Sequence, residues 1–173
     1  LSNNNILNLL TQLKYFLKFY RSATTLYNVH SKWVYGLVDF IFNNKIPTEQ
    51  ALEYDSIRKK LLSDHREIDN HDLGAGSLKN KAKGEIEISR IASISMSGNR
   101  KMKWLYNMAE YFKPDITVEL GTSLGLSAAH LAAHSRKVLT IEGNPAIASV
   151  ARETFKELDC NNTDCLIGSF DDL

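Results

Sequence analysis

The chain has 173 residues, 43% hydrophobic, 24% charged and 9% aromatic, a balance that suits one globular domain with an appendage. A net charge of +1 excludes the strong positive field on which polyanion binders rely, so no nucleic-acid partner is expected. No apolar run approaches the ~20 residues of a membrane span, and the opening residues Leu1 to Asn5 lack a signal peptide's basic start, so a cytoplasmic protein without a span is expected.

In chain order, Ile6, Leu7, Leu10, Leu13 and Leu17 recur at helical spacing over residues 6–20, with Lys14 and Lys18 between them. Val34, Leu37, Val38 and Ile41 repeat the pattern, and Asn43, Asn44 and Pro47 end it. Thr48, Glu49 and Gln50 open a third helix to about Leu62, which closes an N-terminal helical region, 1–62. Basic residues beside Phe16, Phe19 and Tyr20 would suit a membrane surface, but packing or a homodimer contact through these helices is the preferred expectation.

Residues 63–95 read as a polar, lid-like loop with Gly74, Gly76 and Gly84. Its Asp64, His65, Glu67, Asp69, His71 and Asp72 match no standard zinc or calcium spacing, so no metal site is expected. Gly74 to Ser77 reads as a hinge. From Lys79 to Lys103 seven basic residues face two acidic ones, which reads as a solvated face.

Arg100 to Lys113 is an amphipathic helix, and after Pro114 the rhythm changes. Strands at 116–120, 137–142 and 164–167 alternate with helices at 124–134 and 145–158. That order implies three parallel strands joined by right-handed crossovers, the opening half of a doubly wound α/β sheet. Asn144 and Pro145 form a cap and first-turn pair for the second helix. His130 and His134, at i and i+4, read as packing residues, and Cys160 and Cys165 as free, partly buried thiols.

The chemistry concentrates in Glu119-Leu120-Gly121-Thr122-Ser123-Leu124-Gly125, at the carboxyl end of a strand where such folds place ligands. Gly121 permits a sharp turn and close backbone approach, Gly125 a tight helix start, and Ser127 adds a hydroxyl in the first turn. Twenty-one residues after Gly121, Glu142 ends the next strand, where a carboxylate can hold ribose hydroxyls. Gly143 follows it, and Ser169 and Phe170 close the third strand, suited to an adenine edge and face. Ser123 stands where a dinucleotide fingerprint has its middle glycine, and no Walker lysine is present. What remains is a nucleoside ligand without pyrophosphate. Glu119 suits an ammonium group, and the set describes S-adenosylmethionine.

Glu119 to Gly125, Ile141 to Pro145 and Ile167 to Leu173 together resemble the class I S-adenosylmethionine-dependent methyltransferases, most nearly small-molecule O-methyltransferases of the catechol type. Val29 to Tyr35 and Asp72 to Ser77 also look like a group of bacterial methyltransferases. The resemblance implies a Rossmann-like methyltransferase domain, preceded by an α-helical region, whose amino-terminal half occupies residues 96–173. It implies a cofactor site of Glu119, Gly121, Thr122, Ser123, Gly125, Ser127, Glu142, Gly143, Ser169 and Phe170, with Met96 and Ser97 approaching from the amino-terminal side. Ser169 departs from the aspartate of many members. The family's metal-binding aspartates and catalytic lysine follow a fourth strand, so no catalytic residue is assigned. The expected reaction is methyl transfer to an oxygen of a small molecule; a chain opening on Leu1 and closing at Leu173 reads as cut, and by itself inactive. The competing readings are a nicotinamide-dependent oxidoreductase and a non-catalytic helical interaction protein.

Overall fold

A computed structural model describes residues 3–23, 30–70 and 84–169. The chain divides into two compact units, 1–39 and 40–173. The division expected near residue 62 therefore falls earlier, because the third helix is part of the second unit's core. In the first unit, α1 (Asn3–Ser22) leaves Leu10, Leu13, Phe16 and Leu17 more than half exposed. The helix α2 (Lys32–Asn43) begins in the first unit and ends in the second.

In the second unit, α3 (Thr48–Leu62) buries Tyr54, Ile57 and Leu61, positions i, i+3 and i+7 of one face. Then β1 (Glu67–Asp69) pairs antiparallel with β2 (Glu85–Glu87), Ile68 opposite Ile86. The helix α4 (Ile88–Ser95) follows at once and buries Ile88, Ile91 and Ala92. Residues 63–95, expected to be a lid-like loop, thus carry two strands and a helix. The expectation failed because strands of three residues are too short to display alternation. The Gly74 to Ser77 hinge, His71, Asp72 and Lys79, Lys81 and Lys83 of the basic run lie outside the described residues.

The helix α5 (Asn99–Phe112) leads into β3 (Ile116–Leu120), α6 (Leu126–Ala132), β4 (Lys137–Glu142), α7 (Pro145–Glu157) and β5 (Thr163–Ile167). The three strands form one parallel sheet in the order β3-β4-β5, with Leu120 beside Ile141 and Glu142 beside Ile167. This is the Rossmann-like α/β arrangement that the sequence implies. Asn144 caps α7 as expected: its Oδ1 accepts from the Ala146 amide at 2.8 Å, and its Nδ2 donates to the Asp69 carbonyl at 2.8 Å.

Helix α6 buries Leu126, Ala128, Ala129, His130 and Ala132, mostly small residues, because it is packed on both sides. Towards the sheet, Ala128 and Ala132 meet Val138, Ala151 and Phe155. Towards α3 and α5, Ala129 meets Tyr54 and Tyr106. A third cluster gathers Ile57, Leu61, Ile88, Ile91, Met102, Leu124 and Leu126 under the glycine-bearing turn. Each such aliphatic side chain contributes roughly 2 kcal/mol when fully buried. On the opposite face of the sheet Ile116, Val118 and Leu120 remain exposed.

Candidate cofactor site

The turn between β3 and α6 is held in a conformation that three residues share. Gly121 has φ +92°, Ser123 +49° and Gly125 +84°. A side chain on Gly121 would meet nothing within 4 Å, so its missing Cβ leaves open space. Gly125 is confined differently: a Cβ there would stand 2.8 Å from Phe155 Cε1 and 3.1 Å from the Ala151 carbonyl. Its smallness serves the approach of α6 to α7, whereas the sequence suggested closeness to a ligand. Ser123 occupies the place of a dinucleotide fingerprint's middle glycine yet keeps the left-handed backbone glycine would adopt, held from two sides. Its amide donates to Glu142 Oε2 at 2.8 Å, and its hydroxyl shares a 2.8 Å hydrogen bond with that of Ser95.

Glu142 also accepts from the Asn144 amide through Oε1 at 3.1 Å, bracketing Gly143. Beneath the turn runs a buried hydroxyl relay. Thr140 Oγ1 donates to Glu119 Oε2 at 2.7 Å and lies 2.6 Å from Thr122 Oγ1. A hydroxyl has one hydrogen, so Thr122 donates to Thr140. Burial pushes the Glu119 carboxyl above its ordinary range; hydrogen bonds from Ser127 and Thr140 draw it back, and the Glu142 charge raises it further.

A cavity of about 170 Å³ opens over the turn, lined by Gly121 to Ser127 on one side and by Ser95, Met96, Ser97 and Met102 on the other. The structure therefore brings Gly121, Thr122, Ser123, Gly125 and Ser127 together with Met96 and Ser97, which come from 20 or more residues upstream. Glu119 and Glu142 are not part of that lining. They hold the turn from the sheet side, Glu119 through Ser127 and Glu142 through Ser123. The Thr122 side chain, 1% exposed, likewise belongs to the relay, so its backbone is what borders the cavity. Ser169 follows Gly168, whose amide donates to the Glu142 carbonyl at 3.0 Å, which sets it at the neighbouring strand tip. Phe170 lies outside the described residues.

Sequence reasoning missed Ser95 and Met102 as lining residues; Ser95 sat in a segment assigned no helix. Of the histidines, His130 is 4% exposed and stacks on Tyr54 at 3.8 Å between ring centroids. Its Nδ1 lies 2.7 Å from the Leu126 carbonyl, so that nitrogen carries a hydrogen. Among the described residues no three His, Cys, Asp or Glu side chains are grouped to hold a metal ion. Cys160 and Cys165 are free thiols. No helix among the described residues is long and apolar enough to cross a membrane.

A βαβαβ sheet with a positive-φ turn after its first strand and an acid ending its second is a Rossmann-like α/β arrangement. No protein-family model matches the sequence, and no curated protein does. The fold is similar to solved methyltransferase structures. The SAH-bound Podospora anserina methyltransferase PaMTH1 is 16% identical, with a TM-score of 0.48 over 86% of this chain and 53% of its own. Cofactor-bound Rv0187 from MTB is 18% identical, with a TM-score of 0.47 over 80% of this chain and 51% of its own. The O-methyltransferase from Bacillus cereus in complex with SAH is 16% identical, with a TM-score of 0.46 over 79% and 50%. The chain thus spans about half the length of each of these proteins.

Proposed function

We propose that the turn at Gly121 to Ser127, with Glu119, Glu142, Gly143 and Ser169 at the strand tips and Phe170 following Ser169 in the sequence, binds S-adenosylmethionine for methyl transfer to an oxygen of a small molecule. The observation that carries this reading is the cavity shared by the glycine-bearing turn and the Ser95 to Ser97 arc, with two acids braced at its sheet side.

The residues present fit the cofactor. The open space above Gly121 admits a ligand against bare backbone. An ionised carboxylate offers about four lone-pair sites; Glu142 gives one to Ser123 and one to Asn144, and its remaining pairs suit two ribose hydroxyls. The carboxylates of Glu119 and Glu142 repel the phosphates of a dinucleotide and favour a ligand carrying positive charge. Bound, the cofactor supplies a methyl group on a positively charged sulfur, already electrophilic. The chain's part is alignment and exclusion of water.

A net charge of +1 favours a small acceptor over a polyanion. The exposed apolar residues of α1 support a homodimer contact. Calorimetric titration of the chain with S-adenosylhomocysteine and, separately, with NAD⁺ tests the cofactor. Micromolar binding of the first and none of the second is expected, and the reverse would remove the assignment. Label transferred from methyl-tritiated cofactor by the whole protein, partitioned between low-molecular-weight and RNA fractions of a cell extract, tests the acceptor class. Label confined to RNA would overturn that part.

A further inference from the structure

We infer that Arg58 of α3 is a positioning residue for the cofactor cavity, holding the Ser95 to Ser97 arc at its working distance from the glycine-bearing turn. The inference rests on the cofactor reading above and deepens it.

The two walls of the cavity come from different elements, and α3 is tied to one directly and to the helix that continues from the other. Tyr54 reaches α6 just beyond the lining residues Leu126 and Ser127: its ring stacks on His130 and its hydroxyl donates to the Ala129 carbonyl at 3.4 Å. One helical turn later, Arg58 Nη2 donates to the Ser97 carbonyl on the opposite wall. Residues four apart on a helix lie on the same face, so one rigid helix spaces the two walls. Between them lies a second, smaller cavity of about 90 Å³, lined by Tyr54, Asp55, Arg58 and His130 and sharing Met102 and Leu126 with the first.

The arc needs such a hold. Helix α4 ends at Ser95, and Met96 leaves it in an extended conformation with ψ 124°, so Ser97 stands beyond the helical ladder. Ser95 ties the arc to the turn through Ser123. The Arg58 bond to Ser97 fixes its other end. Asp55 pairs with Lys59 at 2.7 Å, and its charge also favours the charged form of the Arg58 guanidinium. Partial burial draws the Arg58 pKa down, and a guanidinium keeps its charge, so the partly buried bond to Ser97 is charge-assisted.

Arg58→Met keeps the apolar stem and removes every donor, and Arg58→Lys restores a cationic donor. In ligand-free protein, amide exchange of residues 96–98 is expected to quicken about tenfold in R58M and recover in R58K, while β4 amides keep their wild-type protection. Unchanged exchange at the arc in R58M would overturn the inference. S-adenosylhomocysteine affinity is expected to weaken about tenfold in R58M and return towards wild type in R58K. Equal affinity in wild type and R58M would also overturn it. If R58M does not fold, wild-type exchange decides: the ligand should protect residues 54–58 of α3 together with 96–98, and protection of the arc alone counts against a role for Arg58. Wild-type protein that binds no S-adenosylhomocysteine would instead defeat the cofactor reading, and the ligand-free exchange still decides what Arg58 holds.

Discussion

The Ser123 amide donates to Glu142 Oε2 at 2.8 Å, joining the turn after β3 to the end of β4. Ser123 sits at φ +49°, a backbone state that a residue with a side chain adopts at some expense. The carboxylate therefore braces the turn even in the absence of a ligand. The same oxygens keep lone pairs free for the ribose of the proposed cofactor, in which case one acid would serve both shape and recognition.

Glu142→Gln replaces one accepting oxygen with an NH₂ group, which cannot accept from Ser123 and Asn144 together. A charged hydrogen bond contributes about 1.5–3 kcal/mol, so S-adenosylhomocysteine should bind roughly ten- to a hundredfold more weakly. Titration calorimetry on the folded variant measures it; wild-type affinity would remove Glu142 from the site.

Gly125→Ala meets two obstacles, φ +84° and a Cβ 2.8 Å from Phe155 Cε1. A loss of roughly 1–3 kcal/mol of unfolding free energy is expected from strain and overpacking. Adding Phe155→Leu should recover the steric share and leave the backbone share. Urea unfolding of the single and double variants separates the two. No recovery in the double variant would place the whole effect in the backbone.

Burial holds the His130 pKa down to about 4 from 6.5, with the neighbouring Arg58 charge lowering it further and the Leu126 carbonyl opposing. The unfolded chain binds this proton between those values and the folded chain does not. The contribution to stability is therefore complete above about pH 6.5 and is lost as pH falls towards 4. A shift of that size amounts to roughly 3 kcal/mol. The wild-type unfolding midpoint in urea should fall across that window, and His130→Gln should flatten the fall. An equal slope in both proteins would contradict the buried neutral histidine.

Burial pushes the Cys160 thiol up to about 11, with Asp159 adding to it, and raises Cys165 as well. Thiolate is the reacting form, so at pH 8 both should react with a disulfide reagent more slowly in native than in urea-unfolded protein, Cys160 by at least about tenfold. Equal rates would show that the thiols are open to solvent.

From Pro114 onward the sequence alone announced the fold. The strands at 116–120 and 137–142 and the Asn144 cap are local features, written in apolar periodicity and turn chemistry. The turn with Gly121 and Gly125 was legible for the same reason, because glycine at a strand end frees the backbone for a bend that a side chain would resist. Between residues 63 and 95 the signal failed. Two three-residue strands and an eight-residue helix gain their stability from packing on α3 and α7, and nothing local advertises them.

The amino-acid order by itself determined the three-stranded parallel sheet, the acids at its strand tips and the glycine-bearing turn between its first strand and helix. It did so because each depends on residues adjacent in the chain or one crossover apart. Tertiary structure alone decided that Gly125 makes room for Phe155, that Glu119 and Glu142 support the turn from below, and that Ser95 to Ser97 form the facing wall. The link from Arg58 to Ser97 spans 39 positions, and that of Tyr54 to Ala129 spans 75. Contacts over such separations arise from how packed elements meet, which no local pattern of side chains encodes.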